Sequence, residues 1–271
     1  MMGLPHPIVG GDFTSPVTPG TGWPDDPADL HTSVARDADD VRRLAATDDL
    51  AELDARVSVC SACPRLVTWR EDVAVEKRAS FADQPYWGRP INGWGDPEPS
   101  LLIVGLAPAA NGGNRTGRIF TGDPSAEWIF GSLHRTGWAS QPTSEHAGDG
   151  QRLLDARMVA TVRCAPPENK PTPAERDTCA PWIAAELALL PTVRVVVALG
   201  AFGWDGAVRS LVAAGAEPPV KRPKFGHGVE LVLGDVTLIG CYHPSPHNTY
   251  TGRLTRAMTD AVFERARALT D

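Results

Sequence analysis

Four cysteines stand in a pattern that can hold a metal group. Cys60-Ser61-Ala62-Cys63 is a C-x2-C pair followed by Pro64-Arg65, Cys164 closes an apolar run, and Cys179 follows 15 positions later. Four thiolates from one tight pair and two dispersed positions suit an iron–sulfur cluster or a structural zinc. Zinc ribbons usually present two tight pairs, and the second pair here is far more open. A disulfide reading conflicts with a reducing compartment. Reading the thiols as small buried hydrophobes suits Cys241, embedded in an apolar stretch, better than Cys60 and Cys63. Spacing alone leaves the metal open.

Two loops carry further chemistry. The first, GLAPAANGGNRTGRIFTGD, runs from Gly105 to Asp123. Its glycines let backbone amides approach a ligand closely, which suits an anion, yet it is neither a P-loop nor a G-x-G-x-x-G turn. Phe120 is either a platform for a base or a core aromatic, and for a lone Phe the core reading is the stronger. The second loop, HPSPHNTYTGRLT, runs from His243 to Thr255. Two prolines stiffen it, and Thr249, Thr251 and Arg253 can donate to phosphate.

These loops need strands to hold them. LLIVG (101–105), RMVATVR (157–163) and VRVVVALG (193–200) are short continuous apolar runs, and LGDVTLIGCYH (233–243) adds a fourth after a Gly-Asp turn. Strands apolar on both faces belong to parallel sheets covered by helices. Thr172-Pro173-Ala174-Glu175 is a capping box that opens a helix to about Leu190. Further helices are expected over 125–133 and 255–269. The alternation predicts a three-layer α/β/α sandwich with a central, mainly parallel, four-stranded sheet. Ligands bind such sheets beyond the C-terminal strand ends, which is where the loops after Gly105, Arg163 and Tyr242 fall.

The rest of the chain sets limits. It has 271 residues, 42% hydrophobic and 22% charged, an ordinary soluble composition that excludes a mainly disordered or fibrous chain. No run approaches the roughly 18 to 20 apolar residues of a membrane span. No basic region precedes an apolar stretch at the N-terminus, so the expected location is cytoplasmic. Residues 1–56 hold 4 basic and 11 acidic side chains, so the whole net charge of −7 lies there and the body is neutral on average. An acidic whole-chain balance therefore argues only weakly against nucleic acid. Residues 1–28 read as an extended or disordered Pro-rich acidic tail and 29–271 as a single domain. Within it, Val41, Leu44, Ala45, Leu50, Leu53 and Val57 suit one or two amphipathic helices.

From about Leu53 to the C-terminus the chain resembles the family 5 uracil-DNA glycosylases, the iron–sulfur branch of the uracil-DNA glycosylase superfamily. GLAPAANGGNRTGR-FTGD, VRCAPPENKPTP and HPSPHNTYTGRLT occur in the family's order and spacing. The sister family 4 carries an acidic residue directly after the first Gly of the first motif, where this chain has Leu106, and a simpler HPS loop. The resemblance implies a [4Fe–4S] cluster on Cys60, Cys63, Cys164 and Cys179, and removal of uracil and other deaminated or damaged bases from DNA. It implies that Phe120 stacks on a flipped base whose edge meets Gly105, Ala107, Pro108 and Ala109. His243 would donate to O2 of the leaving base.

Many superfamily members place an Asp or Asn where this chain has Ala109 and Ala110, so Asp123 is the carboxylate left to activate water. Asp123 also reads as an N-cap before Pro124. Ala160 and Thr161 stand where other members have a uracil-reading Asn, and Asn169 is the candidate substitute. Its use would fit a broader base range. Arg115, Ser245, Pro246, His247, Asn248, Thr251 and Arg253 are the expected DNA contacts of a monomeric enzyme. Two other functions fit parts of the pattern: a damage-binding protein without turnover, and an iron–sulfur or zinc scaffold without DNA chemistry. A redox carrier or scaffold has no use for the HPSPHNTYTGRLT loop.

Overall fold

Leu101–Gly105, Ala156–Ala160 and Val195–Leu199 are strands in which every residue is buried, as Val- and Leu-rich runs in a covered parallel sheet require. The computed structural model describes residues 3–270. Met1, Met2 and Asp271, the outer ends of the expected tail and domain, lie outside the described residues. In chain order the strands are β1 (Leu4–Pro5), β2 (Asp12–Phe13), β3 (Trp94–Gly95), β4 (Leu101–Gly105), β5 (Ala156–Ala160), β6 (Val195–Leu199), β7 (Glu230–Leu233) and β8 (Val236–Cys241). The helices are α1 (Ala38–Ala45), α2 (Leu50–Ser58), α3 (Pro64–Glu76), α4 (Gly113–Thr116), α5 (Pro124–Arg135), α6 (Pro173–Ala188), α7 (Gly200–Ala213), α8 (Pro246–Tyr250) and α9 (Arg256–Thr270).

The main sheet has six strands in the order β3-β5-β4-β6-β8-β7, not the four expected. The inner four are parallel, and both edges are antiparallel. The edges escaped the sequence for a physical reason. β3 is only two residues long. β7 alternates, with Glu230 and Val232 exposed, because an edge strand is half-solvated. Strand alternation sorts the core into two layers. Leu101 and Ile103 face Ile129, Phe130 and Phe263 of α5 and α9, while Leu102 and Val104 face Ile183, Trp204 and Val208 of α6 and α7. Helices α1 and α2 pack outside α6.

The α6 capping box forms as expected: Thr172 Oγ1 accepts from Glu175 N at 3.2 Å, and Glu175 Oε2 accepts from Thr172 N at 2.7 Å. Helix α7 was not among the expected helices, and its glycines lower its intrinsic helix propensity. A Cβ on Gly203 would lie 2.8 Å from Val104 O, and one on Gly206 would lie 2.5 Å from Thr161. The glycines bring the helix close to the sheet. Helix α3 begins at Pro64 directly after the C-x2-C pair.

The Pro- and Gly-rich N-terminal segment is extended but does not hang free. Phe13, Val17 and Trp23 join the core beside Trp87 and Ile119. Asp26 receives a bidentate pair from buried Arg89 at 2.7 and 2.9 Å, and Arg89 also donates to Ser58 O at 3.2 Å.

Candidate active site

Three chain segments converge beyond the C-terminal ends of β4, β5 and β8. Gly105 ends β4, and its carbonyl accepts from both Thr161 N and Thr161 Oγ1 at 2.9 Å, which ties the first loop to the segment after β5. The Phe120 ring occupies the space above Gly105, where a Cβ would stand 2.7 Å from ring carbon Cε2. Any side chain at 105 would push that ring out of place. Phe120 itself sits at φ 48°, a left-handed conformation that L residues rarely adopt. Such strain is held only where the surroundings over-determine it, which is common at ligand sites.

Arg115 supplies much of that constraint. It was expected on DNA, yet it is buried. Its guanidinium donates to Asn111 O, Gly122 O and Gln84 Oε1, each at 2.9 Å, and lies 3.9 Å from the Phe81 ring centroid. With every guanidinium nitrogen committed, Arg115 ties the middle of the loop at Asn111 to its end at Gly122. Tyr86 adds to the brace by donating to Asn111 Oδ1 at 2.9 Å. Neither Gln84 nor Tyr86 gave a sequence signal, since both lie outside the loop and meet it only in the fold.

Asp123 caps α5: its Oδ1 accepts from Ser125 N at 2.9 Å and Ala126 N at 3.0 Å. Its other oxygen points at Gly112, where a Cβ would collide with it. Burial raises the Asp123 carboxyl above the usual range, opposed by the two backbone amides and by Arg115. His243 follows β8, and its ring centroid lies 5.8 Å from that of Phe120. Burial pushes the His243 imidazole down to about 4, so it is neutral at neutral pH. Its carbonyl is held by Ser245 N at 2.8 Å and Asn248 Nδ2 at 2.9 Å, which fixes the loop that carries the ring.

Phe120, Asp123, Asn169 and His243 line one pocket of about 380 Å³, within the range of small-ligand sites. Leu106, Ala107 and Ala109 form one wall, Ser245 and Pro246 another. Leu106, Ile119 and Ser125 line it without having been expected. Asn169 reaches it from a tight turn at φ 56°. Pro108 is buried beneath Gly113 and lies off the pocket. His247 and Arg253 are exposed on the third loop, and Thr251 Oγ1 donates to His247 O at 2.6 Å. Asp123 and Pro124 also border a second cleft of about 540 Å³, walled by Arg115, Glu127 and His146. The smaller pocket is the candidate site, because the aromatic, carboxylate, amide and imidazole groups meet there.

A third, much smaller pocket of about 20 Å³ is lined by Cys60, Cys63, Cys164 and Cys179. The thiols surround it without closing to the spacing of a single ion: no group of three or more metal-binding side chains does so among the described residues. Burial raises the Cys60 and Cys63 thiols to about 11 and about 12, with neighbouring cysteines adding to the rise. Arg70 NH1 donates to Cys164 Sγ at 2.9 Å, and Arg163 N donates to Cys179 Sγ at 3.4 Å. Trp182 Nε1, Arg70 Nε and two Arg163 nitrogens are buried without partners around this pocket. Cys241 lies apart, in β8.

Comparison with known proteins identifies the family. The sequence profile of the Uracil DNA glycosylase superfamily matches residues 92–267. The chain is 55% identical over 267 residues to the type-5 uracil-DNA glycosylase of Mycobacterium tuberculosis, covering 97% of this chain and 98% of that one. It is 49% identical to that of Thermus thermophilus over 214 residues, 79% of this chain and 94% of the relative. Against the type-4 uracil-DNA glycosylase of Thermotoga maritima, identity falls to 27% over 191 residues, 70% of this chain and 78% of that one. With its apolar Leu106, its braced first loop and its long third loop, the chain belongs to the type-5 uracil-DNA glycosylases.

Proposed function

We propose that this chain removes uracil, and other deaminated bases, from DNA by hydrolysing the N-glycosidic bond, and that it works as a monomer in the cytoplasm. The observation that carries the reading is the single pocket that gathers Phe120, Asp123, Asn169 and His243 at the strand ends. A base inside the stack is out of reach, so the nucleotide is flipped out, at a cost of a few kcal/mol. The base stacks on Phe120. Asn169 reads its polar edge. Breaking C1′–N1 leaves an oxocarbenium-like sugar and a uracil anion. Neutral His243 donates a hydrogen bond to the O2 of that anion, where charge develops. Asp123 stabilises the sugar cation and orients the water. The water's oxygen bonds to C1′ and one proton ends on the released base, leaving an abasic site.

The four cysteines would hold a [4Fe–4S] cluster. The fit is supported by the four thiols that line one pocket, and by buried guanidinium and indole donors there that lack acceptors. An anionic sulfur-rich group would supply those acceptors. Such a group stabilises the fold, since its ligands join the start of α3, the segment after β5 and α6. The third loop favours glycosylase over scaffold, since only a DNA enzyme needs a stiff loop beside a base pocket.

Base-release assays on duplexes carrying uracil, hypoxanthine, xanthine or an etheno base test the reading. Free uracil and an alkali-labile abasic site are expected. Tight binding of the damaged duplexes without release of any base would instead favour the damage-binding protein.

A further inference from the structure

Residues 217–225, EPPVKRPKF, link α7 to β7. The segment carries Lys221, Arg222 and Lys224 against one acid, Glu217, and all three cations are exposed. Pro218, Pro219 and Pro223 restrict its backbone. At its bend Val220 stands fully in solvent. A loop this apolar at its tip and this basic along its length is costly to leave without a role, and the base pocket does not use it.

Two anchors fix the segment beside the site. Phe225 stacks against Trp204 of α7 and against Tyr242, at centroid distances of 6.2 and 6.0 Å. Gly240 lets it dock, since a Cβ there would collide with Gly226 O. Tyr242 is the residue before His243, and its N–H donates to His227 Nδ1 at 3.2 Å. The second anchor is Arg222, which pairs with Asp205 of α7 at 2.8 Å. Asp205 also receives Arg209 at 2.9 Å and Arg176 at 3.4 Å. One carboxylate shared by three guanidiniums leaves the surroundings positive, even with Asp177 paired to Arg176. Across Tyr242, the Arg253 guanidinium lies 4.8 Å from the ring centroid. Phe225 thus sets the segment against the residue that precedes His243, with Arg253 over the same Tyr242 ring.

We infer that this stiff basic arm is a second DNA-binding surface, which takes the phosphate backbone flanking the flipped nucleotide and acts without regard to sequence or damage. The inference rests on the base-excision reading. Compact ammonium groups on a restrained backbone serve as point charges for phosphate. Their contribution falls as salt rises, with a slope of about 0.9 per phosphate neutralised.

The test is the double variant Lys221→Gln/Lys224→Gln, with affinity for duplexes with and without one uracil measured over a salt series. Both side chains are exposed, so the fold is expected to survive. The slope of log Kd against log salt is expected to flatten by about one to two. Affinity at low salt should fall roughly ten-fold or more, equally for both duplexes. The single-turnover excision rate at saturating DNA should not change. An unchanged slope, or a loss confined to the uracil duplex, would overturn the inference. Wild-type protein that binds duplex but releases no uracil would sink the excision reading alone, and the arm would still be read from the salt slope on undamaged DNA.

Discussion

The base pocket and the cysteine pocket are fed by the same segment after β5 and are built in opposite ways. Thr161 ties down Gly105 at the first, and Cys164, three residues later, lines the second. The base pocket, about 380 Å³, is lined by a neutral imidazole and one carboxylate. The cysteine pocket is far smaller, about 20 Å³, and is flanked by Arg70 and Arg163, each with a buried nitrogen that lacks a partner. Each guanidinium is partly paired, Arg163 with Glu186 and Arg70 with Glu71, Cys60 O and Cys164 Sγ, and the buried nitrogens left over are a cost that the proposed anionic cluster would offset. The first is complete without a ligand, and its few fixed charges leave it responsive to charge that develops during reaction. On the proposed reading, one pocket serves the fold and the other serves the rate.

That contrast breaks most readily at the cysteines. Cys164→Ala should bleach the brown colour expected of the purified protein and lower Tm by roughly 10 °C or more, as losing a structural metal group does. Absorbance, iron content and thermal melting read this out. A colourless wild-type protein holding one zinc would reverse the assignment of the metal.

At the base pocket the effect should move from stability to rate. His243→Ala is expected to slow single-turnover excision by roughly 10²-fold or more, the scale of losing one oxyanion donor, with Tm and DNA affinity little changed. Because the imidazole titrates near about 4, His243 should add no pH dependence to the rate between pH 5 and 8. Protonating it demands a charge in a buried place. The protein should therefore lose stability from this group as pH falls from the unfolded value of 6.5 toward about 4.

Asp123→Asn gives the finest cut, since Asn caps a helix about as well as Asp. Excision should fall by roughly ten-fold or more if the charge acts on the sugar cation. Burial raises this carboxyl, so its ionised form costs stability above its folded pKa, and Tm at neutral pH should hold or rise slightly in the variant. The acid limb of the wild-type rate should sit above the ordinary carboxylate range and vanish in Asp123→Asn. A wild-type rate in the variant would reduce Asp123 to a cap.

Much of this was legible before the fold. LLIVG reads directly as β4, the capping box opens α6 at Thr172, and the three motifs sit where parallel strands end. Local chemistry decides these features, so local sequence reveals them. The N-terminal segment reads as a tail because Pro and Gly dominate it, yet Phe13 and Trp23 find a hydrophobic cleft made by distant residues. Arg115 reads as a phosphate contact because Arg in a Gly-rich loop usually faces solvent, and its partners Gln84 and Phe81 lie some thirty residues earlier in the chain.

By itself the sequence determined the parallel core and marked out the metal-capable cysteines and the candidate reacting groups, because hydrophobic period, capping and side-chain chemistry act over a few residues. Only the tertiary structure decided that Asp123 is both cap and pocket wall and that the imidazole is neutral. It also decided that the arm over 217–225 stands beside Tyr242. Burial, desolvation and juxtaposition depend on segments far apart in the chain, and no local pattern records them.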